Sequence, residues 1–276
     1  MGRSSFSLPG RSTRRRRVAI ALNHQPTENP TKGDDELPPV VEEPTVIPKA
    51  FDPSHPGPSA LYQRLQHDEP MTWIFSGDSN YCSAFRSSQT FPRLVADWTK
   101  TEFGRTNEIF VNATYAHAHL EHVKVQMKDR FATFAPDVVT LVCGFADCES
   151  GVEKCEEFER SLIGIIKQIQ NFGAMPVVCT PPYSEYEDDS AEQIDRLIYL
   201  EAIRGCVAEY SGILIDHWDH WEQHPERGSF WDAKRNAPTD AGILEMQKLY
   251  LKELGIDQPK SFVVGSDAAT SEAINT

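Results

Sequence analysis

The stretch Met71-Thr-Trp-Ile-Phe-Ser-Gly-Asp-Ser79 decides how this chain folds. Its short apolar run predicts a buried strand, and Gly77 interrupts that run. Downstream apolar residues recur at helical spacing and predict a helix: Phe91, Leu94, Val95 and Trp98. The hydroxyl of Ser79 is therefore expected at the carboxyl end of a strand, beside a helix N-terminus whose backbone N–H groups favour negative charge.

Strand-like and helix-like patterns alternate along the rest of the chain. Four more segments predict strands: Glu108–Asn112, Asp137–Cys143, Met175–Cys179 and Gly212–Asp216. Helical patterns are found over about His119–Phe134, Gly151–Phe172, Ala191–Tyr210 and Thr239–Leu254. The alternation predicts an α/β fold, a three-layer α/β/α sandwich of flavodoxin-like type with a five-stranded parallel sheet. Ligands of such sheets bind at the carboxyl ends of the strands.

Composition divides the chain into three parts. Residues 1–58 mix Arg, Pro, Glu and Thr with almost no aromatic residues, and we expect them to be disordered. Residues 59–257 are predicted to form one domain, which is long enough to stabilise its own core. Residues 258–276 are rich in Ser and Ala and are predicted to be a flexible tail.

Charge and hydropathy exclude several classes of function. The net charge is −14, although residues 1–17 contain six arginines and no acid, so nucleic-acid binding by the folded part is not expected. The basic arm is interpreted as solvated. No apolar run reaches the roughly 18 residues of a membrane span. Val18–Leu22 is shorter than the roughly 7 to 15 residues of an export signal, so we expect a cytoplasmic location, with export as an unsupported alternative.

Cysteine spacing indicates neither a metal site nor a disulfide framework. The six cysteines are spread over the domain without C-x-x-C spacing, and buried free thiols are expected. The set is Cys82, Cys143, Cys148, Cys155, Cys179 and Cys206. No cofactor and no bound metal are predicted.

Six segments, in order, resemble the SGNH (GDSL-like) hydrolase family over roughly two thirds of the chain. They are Gly77-Asp78-Ser79, Phe91-Pro92, Asn112-Ala-Thr, Gly144-Phe-Ala-Asp147, Thr180-Pro-Pro182 and Pro238-Thr-Asp-Ala-Gly242. The resemblance implies a serine esterase whose nucleophile is Ser79. Its substrate would be a small-molecule or glycan-like ester, for example an acyl-carbohydrate or a lipid-like compound. An unrelated flavodoxin-like binding module is disfavoured, because the segments match in order.

The resemblance also implies which residues should surround the serine. In the family, the serine N–H, a glycine of the second motif and an asparagine of the third bind the oxyanion, and a histidine before the last helix is the base. Here Asp78 and Ser79 match, but His117 stands for the glycine, Ala146 for the asparagine and Ala237 for the histidine. The Ser79 N–H is then the surviving oxyanion donor, and the backbone N–H of His117 is a candidate to take the place of the glycine N–H.

Other residues are candidates to complete the site. His117 is the first candidate for a replacement base, with His217 or His220 next, and Asp232 lies at about the place of the orienting acid. A metal set of His217, His220, Asp216 and Asp219 is a weaker alternative. Asp147 is expected to brace the loop that carries Ala146, and Cys148 to be an inert thiol.

Two functions therefore remain open. The first is an ester hydrolase with Ser79 as nucleophile and a nonstandard base. The second is a catalytically impaired SGNH-like pseudoenzyme that binds a ligand such as a glycan or an acyl compound. An imidazole within about 3 Å of the Ser79 hydroxyl would favour the first.

Overall fold

A parallel sheet forms the middle layer of the fold. The computed structural model describes residues 58–79, 89–184 and 190–259, which all fall in one structural unit. Within them the sheet has five strands in the order β2-β1-β3-β4-β5, and all neighbours are parallel. Its strands are β1 (Thr72–Gly77), β2 (Ile109–Asn112), β3 (Val138–Val142), β4 (Met175–Cys179) and β5 (Ile213–Ile215). The predicted fold class is confirmed.

Helices connect the strands and cover both faces of the sheet. They are α1 (Pro58–Leu65), α2 (Phe91–Thr101), α3 (Leu120–Arg130), α4 (Phe145–Cys148), α5 (Cys155–Asn171), α6 (Ala191–Glu209), α7 (His217–Glu222) and α8 (Asp240–Glu253). A two-stranded antiparallel hairpin, β6 (Trp231–Asp232) and β7 (Ala237–Pro238), precedes α8. No helix in the described segments is long and apolar enough to span a bilayer.

Two predicted helices have different bounds in the structure. The one expected from His119 ends at Arg130, and a 3₁₀ turn continues it over Ala132–Phe134. The one expected from Gly151 begins at Cys155, because Gly151 has a φ of 88° and a 3₁₀ turn follows it. The short helices α4 and α7 were not predicted, since four to six residues are too few to show helical periodicity.

Side chains of the strands alternate between two hydrophobic cores. Trp73 and Phe75 face one core, which α1, α2 and α8 cover. Ile74 faces the other core, beneath α3, α5 and α6. β3 contributes Val138 and Val142 to the first core, and Val139 and Leu141 to the second. Burial on both faces explains why these strands read as unbroken apolar runs rather than as alternating patterns.

The segments predicted at the ends of the chain lie outside the described residues, apart from residue 58 and residues 258–259. Cys82 and the basic arm also lie outside them. The boundaries at residues 58 and 257 therefore stay predictions. The five described cysteines are all buried and free of disulfides.

Gly205 lies in the middle of α6, and it offers a simple test of helix stability. It is exposed, and a Cβ added there would meet no atom within 4 Å. We expect Gly205→Ala to raise the free energy of unfolding by about 0.5–1 kcal/mol, because alanine loses less conformational entropy in a helix. Urea denaturation measures the change, and a decrease in stability would contradict the expectation.

Candidate active site

Gly77 brings β1 against the end of β3. Its φ is 106°, and a Cβ at this position would lie 1.9 Å from the carbonyl oxygen of Val142. The N–H of Asp78 donates to that same carbonyl at 2.9 Å. Only glycine combines this positive φ with so close an approach to backbone. Gly77 therefore determines where Asp78 and Ser79 emerge at the carboxyl edge of the sheet.

Ser79 lies at this edge, but its polar atoms are not arranged as a nucleophile requires. The residue is only 2% exposed, and its Oγ has no hydrogen-bond partner within the described residues. Its N–H donates to the carbonyl oxygen of Tyr115 at 3.0 Å. The prediction that this N–H is the surviving oxyanion donor is therefore wrong. The parallel pairing of β1 with the chain after β2 continues through a bridge between Asp78 and Tyr115, and it engages this N–H.

His117 contacts the turn at Asp78 and Ser79 with its backbone and not with its imidazole. Its N–H donates to Oδ1 of Asp78 at 3.1 Å, so this candidate replacement for the family's glycine donor is engaged. The residue is exposed, and its ring makes no hydrogen bond to Ser79 Oγ. Its φ of 53° lies in the left-handed region, where glycine is unstrained. His117 thus holds a backbone conformation that glycine would adopt without strain.

Asp147 connects the loop after β3 to the start of α3. Its Oδ2 accepts the N–H of Gly144 at 3.2 Å, and its Oδ1 accepts the N–H of Leu120 at 2.9 Å. Nδ1 of His119 lies 3.9 Å from Oδ1. Burial raises the pKa of Asp147, whereas these hydrogen bonds oppose the increase. The contacts are those of a residue that braces the loop carrying the buried Ala146.

Asp232 has both carboxylate oxygens engaged inside the β6–β7 hairpin. Oδ1 accepts the N–H groups of Lys234 at 3.0 Å and Arg235 at 3.2 Å. Oδ2 lies 3.3 Å from Nε of Arg235. Ala237, at the position where the family has its histidine, is buried and pairs with Asp232 across the hairpin. These contacts assign Asp232 to the turn rather than to the orientation of a base.

His217 is a fully buried imidazole at the carboxyl end of β5. Neither ring nitrogen has a hydrogen-bond partner in the part of the chain that the structure describes, and the ring meets that of Phe91 edge-on at 5.8 Å. Burial, helped by the nearby His220, lowers the pKa of His217 to about 3. His217 is therefore neutral at physiological pH, and it makes no hydrogen bond to Ser79 Oγ.

His220 and its acidic neighbours are paired with other groups. Nε2 of His220 lies 2.9 Å from Oε1 of Glu245 on α8. Oδ2 of Asp216 accepts from Nε of Arg204 at 2.7 Å, and its Oδ1 accepts the N–H of Asp219 at 3.1 Å. Among the described residues, no group of three or more His, Cys, Asp or Glu side chains is arranged to hold a metal ion.

Sequence reasoning missed two residues of this edge. The carbonyl of Tyr115 takes the Ser79 N–H, and a backbone carbonyl leaves no signal in a sequence. Arg196 of α6 is buried, where its Nη1 donates to Ser184 Oγ at 3.0 Å and its guanidinium lies 3.9 Å from the centre of the Phe145 ring. Charged residues on helices are usually exposed, so the pattern did not indicate it.

Cys148 has the properties of an unreactive thiol. Its Sγ donates to the carbonyl oxygen of Phe145 at 3.0 Å. Burial raises the pKa of the thiol to about 11, so the nucleophilic thiolate is scarce at neutral pH.

Comparison with known proteins identifies the fold. No family model matches the sequence, and no curated protein does. Among solved structures, LAE5, an α/β hydrolase enzyme from the metagenome of Lake Arreo, Spain, superposes with a TM-score of 0.59 at 16% identity over 68% of this chain and 96% of its own. A GDSL-like lipase from Parabacteroides merdae gives a TM-score of 0.59 at 14% identity over 68% of this chain and 97% of its own.

A third structure is a catalytic mutant of Axe2, an acetylxylan esterase from Geobacillus stearothermophilus. Its TM-score is 0.59 at 16% identity, and the match covers 71% of this chain and all of Axe2 (100%). Identities this low show the fold and leave the chemistry to the site. The resemblance seen in the sequence is confirmed at that level: this chain has the α/β fold of SGNH-type, GDSL-like hydrolases.

Proposed function

We propose that this chain is a non-hydrolytic protein with the SGNH fold, which binds a glycan-like ligand at the carboxyl edge of its sheet. One observation supports the proposal that the chain does not hydrolyse esters. The hydroxyl of Ser79 is buried and makes no hydrogen bond to a base among residues 58–79, 89–184 and 190–259, and its N–H donates to the carbonyl oxygen of Tyr115. A serine nucleophile needs a base to accept its proton and donors directed at the developing oxyanion.

Each of the three oxyanion donors that the resemblance implies is either missing or engaged in another hydrogen bond. Ala146 has no side-chain donor where the family has asparagine, and the His117 N–H is occupied by Asp78. Loss of one oxyanion donor costs on the order of 10²–10³ in rate, so loss of all three leaves little transition-state stabilisation. Loss of the base adds to this deficit.

Aromatic side chains at the carboxyl edge support the binding half of the proposal. Trp231 and Tyr183 are both partly exposed. The Trp231 ring lies 6.4 Å from that of Phe145, and the Tyr183 ring lies 5.1 Å from that of Trp218. Partly exposed aromatic faces suit the apolar faces of sugar rings, because they are large and rigid. Axe2, which shares the fold, is an acetylxylan esterase, and it indicates an acetylated glycan as the first ligand to try.

A fluorophosphonate probe tests the catalytic half. We expect no labelling of the purified protein, because such probes react with activated serines and no base in the described part of the chain hydrogen-bonds to Ser79 Oγ. Intact-mass analysis after incubation measures labelling, and an active serine esterase in the same reaction shows that the probe works. Labelling that disappears in Ser79→Ala would contradict the proposal.

An active ester hydrolase is the second candidate, favoured by the position of Ser79 after β1 and by the esterases that share the fold. This function requires an imidazole to reach Ser79 during turnover. His117 is the first candidate, because its backbone N–H already contacts Asp78, the residue before Ser79. Hydrolysis of p-nitrophenyl acetate would then be lost in both Ser79→Ala and His117→Gln. It would persist in His122→Gln, which changes an exposed histidine on α3.

Titration with acetylated xylo-oligosaccharides tests the binding half. We expect Trp231→Ala to weaken binding by about tenfold, as truncation of a buried aromatic contact commonly does. Isothermal titration calorimetry measures the affinity. Tyr62→Ala is the matched control, because Tyr62 is an exposed aromatic residue on α1, away from the carboxyl edge. Equal losses in the two variants, or no binding by the wild type, would exclude this ligand class.

A further inference from the structure

A groove between α5 and α6 lies apart from the carboxyl edge of the sheet. The two helices pack side by side, and the groove between them has a volume of about 690 Å³. Ile163 of α5 and Ala202 of α6 contribute to its lining, together with the buried Cys155 and Cys206. Gly205 also lines it, and the space above Gly205 is open. The groove is therefore a preformed apolar concavity.

One wall of the groove is an exposed apolar stripe. Ile194, Leu197 and Ile198 are 49%, 43% and 37% exposed, and all three line the groove. Their spacing places them on one face of α6. Single exposed apolar residues need no explanation, but a contiguous group beside a concavity is typical of an interaction surface.

The charged residues that line the groove are acidic. Among the described residues that line it, Glu159, Glu201 and Glu209 are acidic, and none is lysine or arginine. Glu201 is paired with the cation Arg204 at 2.6 Å, whereas Glu209 hydrogen-bonds to the uncharged Tyr210, so Glu159 and Glu209 are the stronger candidates to meet a partner's cations. A second copy of this chain would bring glutamates against glutamates. The chain's net charge of −14 would also attract a cationic partner at longer range.

We propose that this groove binds a basic amphipathic helix of another protein. The apolar face of that helix would contact Ile194, Leu197 and Ile198, and flanking lysines or arginines would face Glu159 and Glu209. This arrangement is the helix-in-groove mode of recognition. The wall from Ile194 to Glu209 spans about 22 Å, which matches a partner helix of about four turns. The proposal is independent of Ser79 and of any ligand at the carboxyl edge.

Fluorescence anisotropy with a labelled peptide tests the proposal. The probe has 15 residues, with leucines at i, i+3, i+4, i+7, i+8 and i+11 and lysines on the other face. Two control peptides keep the length: one has the same composition in scrambled order, and one has glutamate in place of lysine. We expect micromolar binding of the probe to the full chain, weaker binding at higher salt, and at least about tenfold weaker binding of both controls.

Variants of the chain locate the binding site. Ile194→Ser with Leu197→Ser should weaken binding by at least about tenfold, because it removes the apolar wall. Its matched control is Leu244→Ser, which changes an exposed leucine on α8 and should have no effect. Glu159→Gln with Glu209→Gln should weaken binding and flatten its salt dependence. Glu222→Gln with Glu253→Gln removes the same charge from exposed sites outside the groove and should do neither.

Three results would overturn the proposal. Equal binding of the scrambled peptide would show attraction by charge alone. Equal loss in Leu244→Ser would place the site elsewhere. Self-association in sedimentation that Ile194→Ser with Leu197→Ser abolishes would show that a second copy occupies the groove. Thermal denaturation of each variant shows that it is folded, as expected for changes at exposed side chains.

Discussion

Gly77→Ala is expected to lower the free energy of unfolding by about 3 kcal/mol or more, a large fraction of the roughly 5–15 kcal/mol of an ordinary domain. The new methyl group would lie 1.9 Å from the Val142 carbonyl oxygen, and the φ of 106° is unfavourable for any residue with a Cβ. To relieve this clash, β1 and β3 would have to separate at the point where the Asp78 N–H donates to the Val142 carbonyl. The contact is with backbone, so no side chain can move aside to accommodate it.

Urea denaturation followed by circular dichroism measures this loss. Gly205→Ala is the matched control, because it makes the same chemical change at an open helical site and should alter stability in the opposite direction. If Gly77→Ala retained wild-type stability, the close packing of Gly77 against Val142 would be incorrect. The placement of Ser79 that depends on it would then also be incorrect.

Acidification is expected to destabilise the chain through His217. Its pKa is about 3 in the folded state and about 6.5 when the chain is unfolded. Below pH 6.5 the unfolded state binds more protons than the folded state, so stability falls by about 1.4 kcal/mol per pH unit until the folded pKa is reached. Between pH 6.5 and 4.5 this residue alone should cost about 2–3 kcal/mol.

His217→Phe isolates this contribution from that of the carboxylates. Phenylalanine keeps a ring against Phe91 and cannot be protonated, so its stability should fall less steeply with pH. Denaturant midpoints at several pH values between 7 and 4 measure the difference between variant and wild type. His122→Gln, at an exposed histidine, should follow the wild type. Parallel curves for wild type and His217→Phe would show that His217 is accessible to protons in the folded state.

The residues that maintain the fold differ from those on which the proposed absence of hydrolysis depends. Gly77, the helix caps Thr90 and Thr239 and the apolar strands maintain the fold, and none of them performs acyl transfer. Ala146 and Ala237, which stand where the resemblance implies asparagine and histidine, are both buried and contribute apolar surface to the interior. A fold of this kind can exist with or without catalytic side chains at such positions.

The architecture of this protein follows from local features of its sequence. Apolar runs at strand length, helical stripes between them and Gly77 before Ser79 are local signals, and local signals are sufficient for an alternating α/β pattern. The departures at Ala146 and Ala237 could likewise be seen from the resemblance alone. The bounds of a few helices, the helices α1, α4 and α7 and the β6–β7 hairpin escaped prediction, because such short elements show too few turns or strand residues for a periodic pattern.

The hydrogen bonds made by the polar groups of the site could not be predicted from the sequence, because they depend on tertiary contacts. The Ser79 N–H is bound to a carbonyl 36 residues away, and the His117 N–H is bound to a carboxylate 39 residues away. The burial of His217 depends on Phe91, which is more than a hundred residues distant in the chain. Such contacts follow from how the strands pair and the layers pack, and no local pattern encodes the direction of an N–H group or the depth of an imidazole.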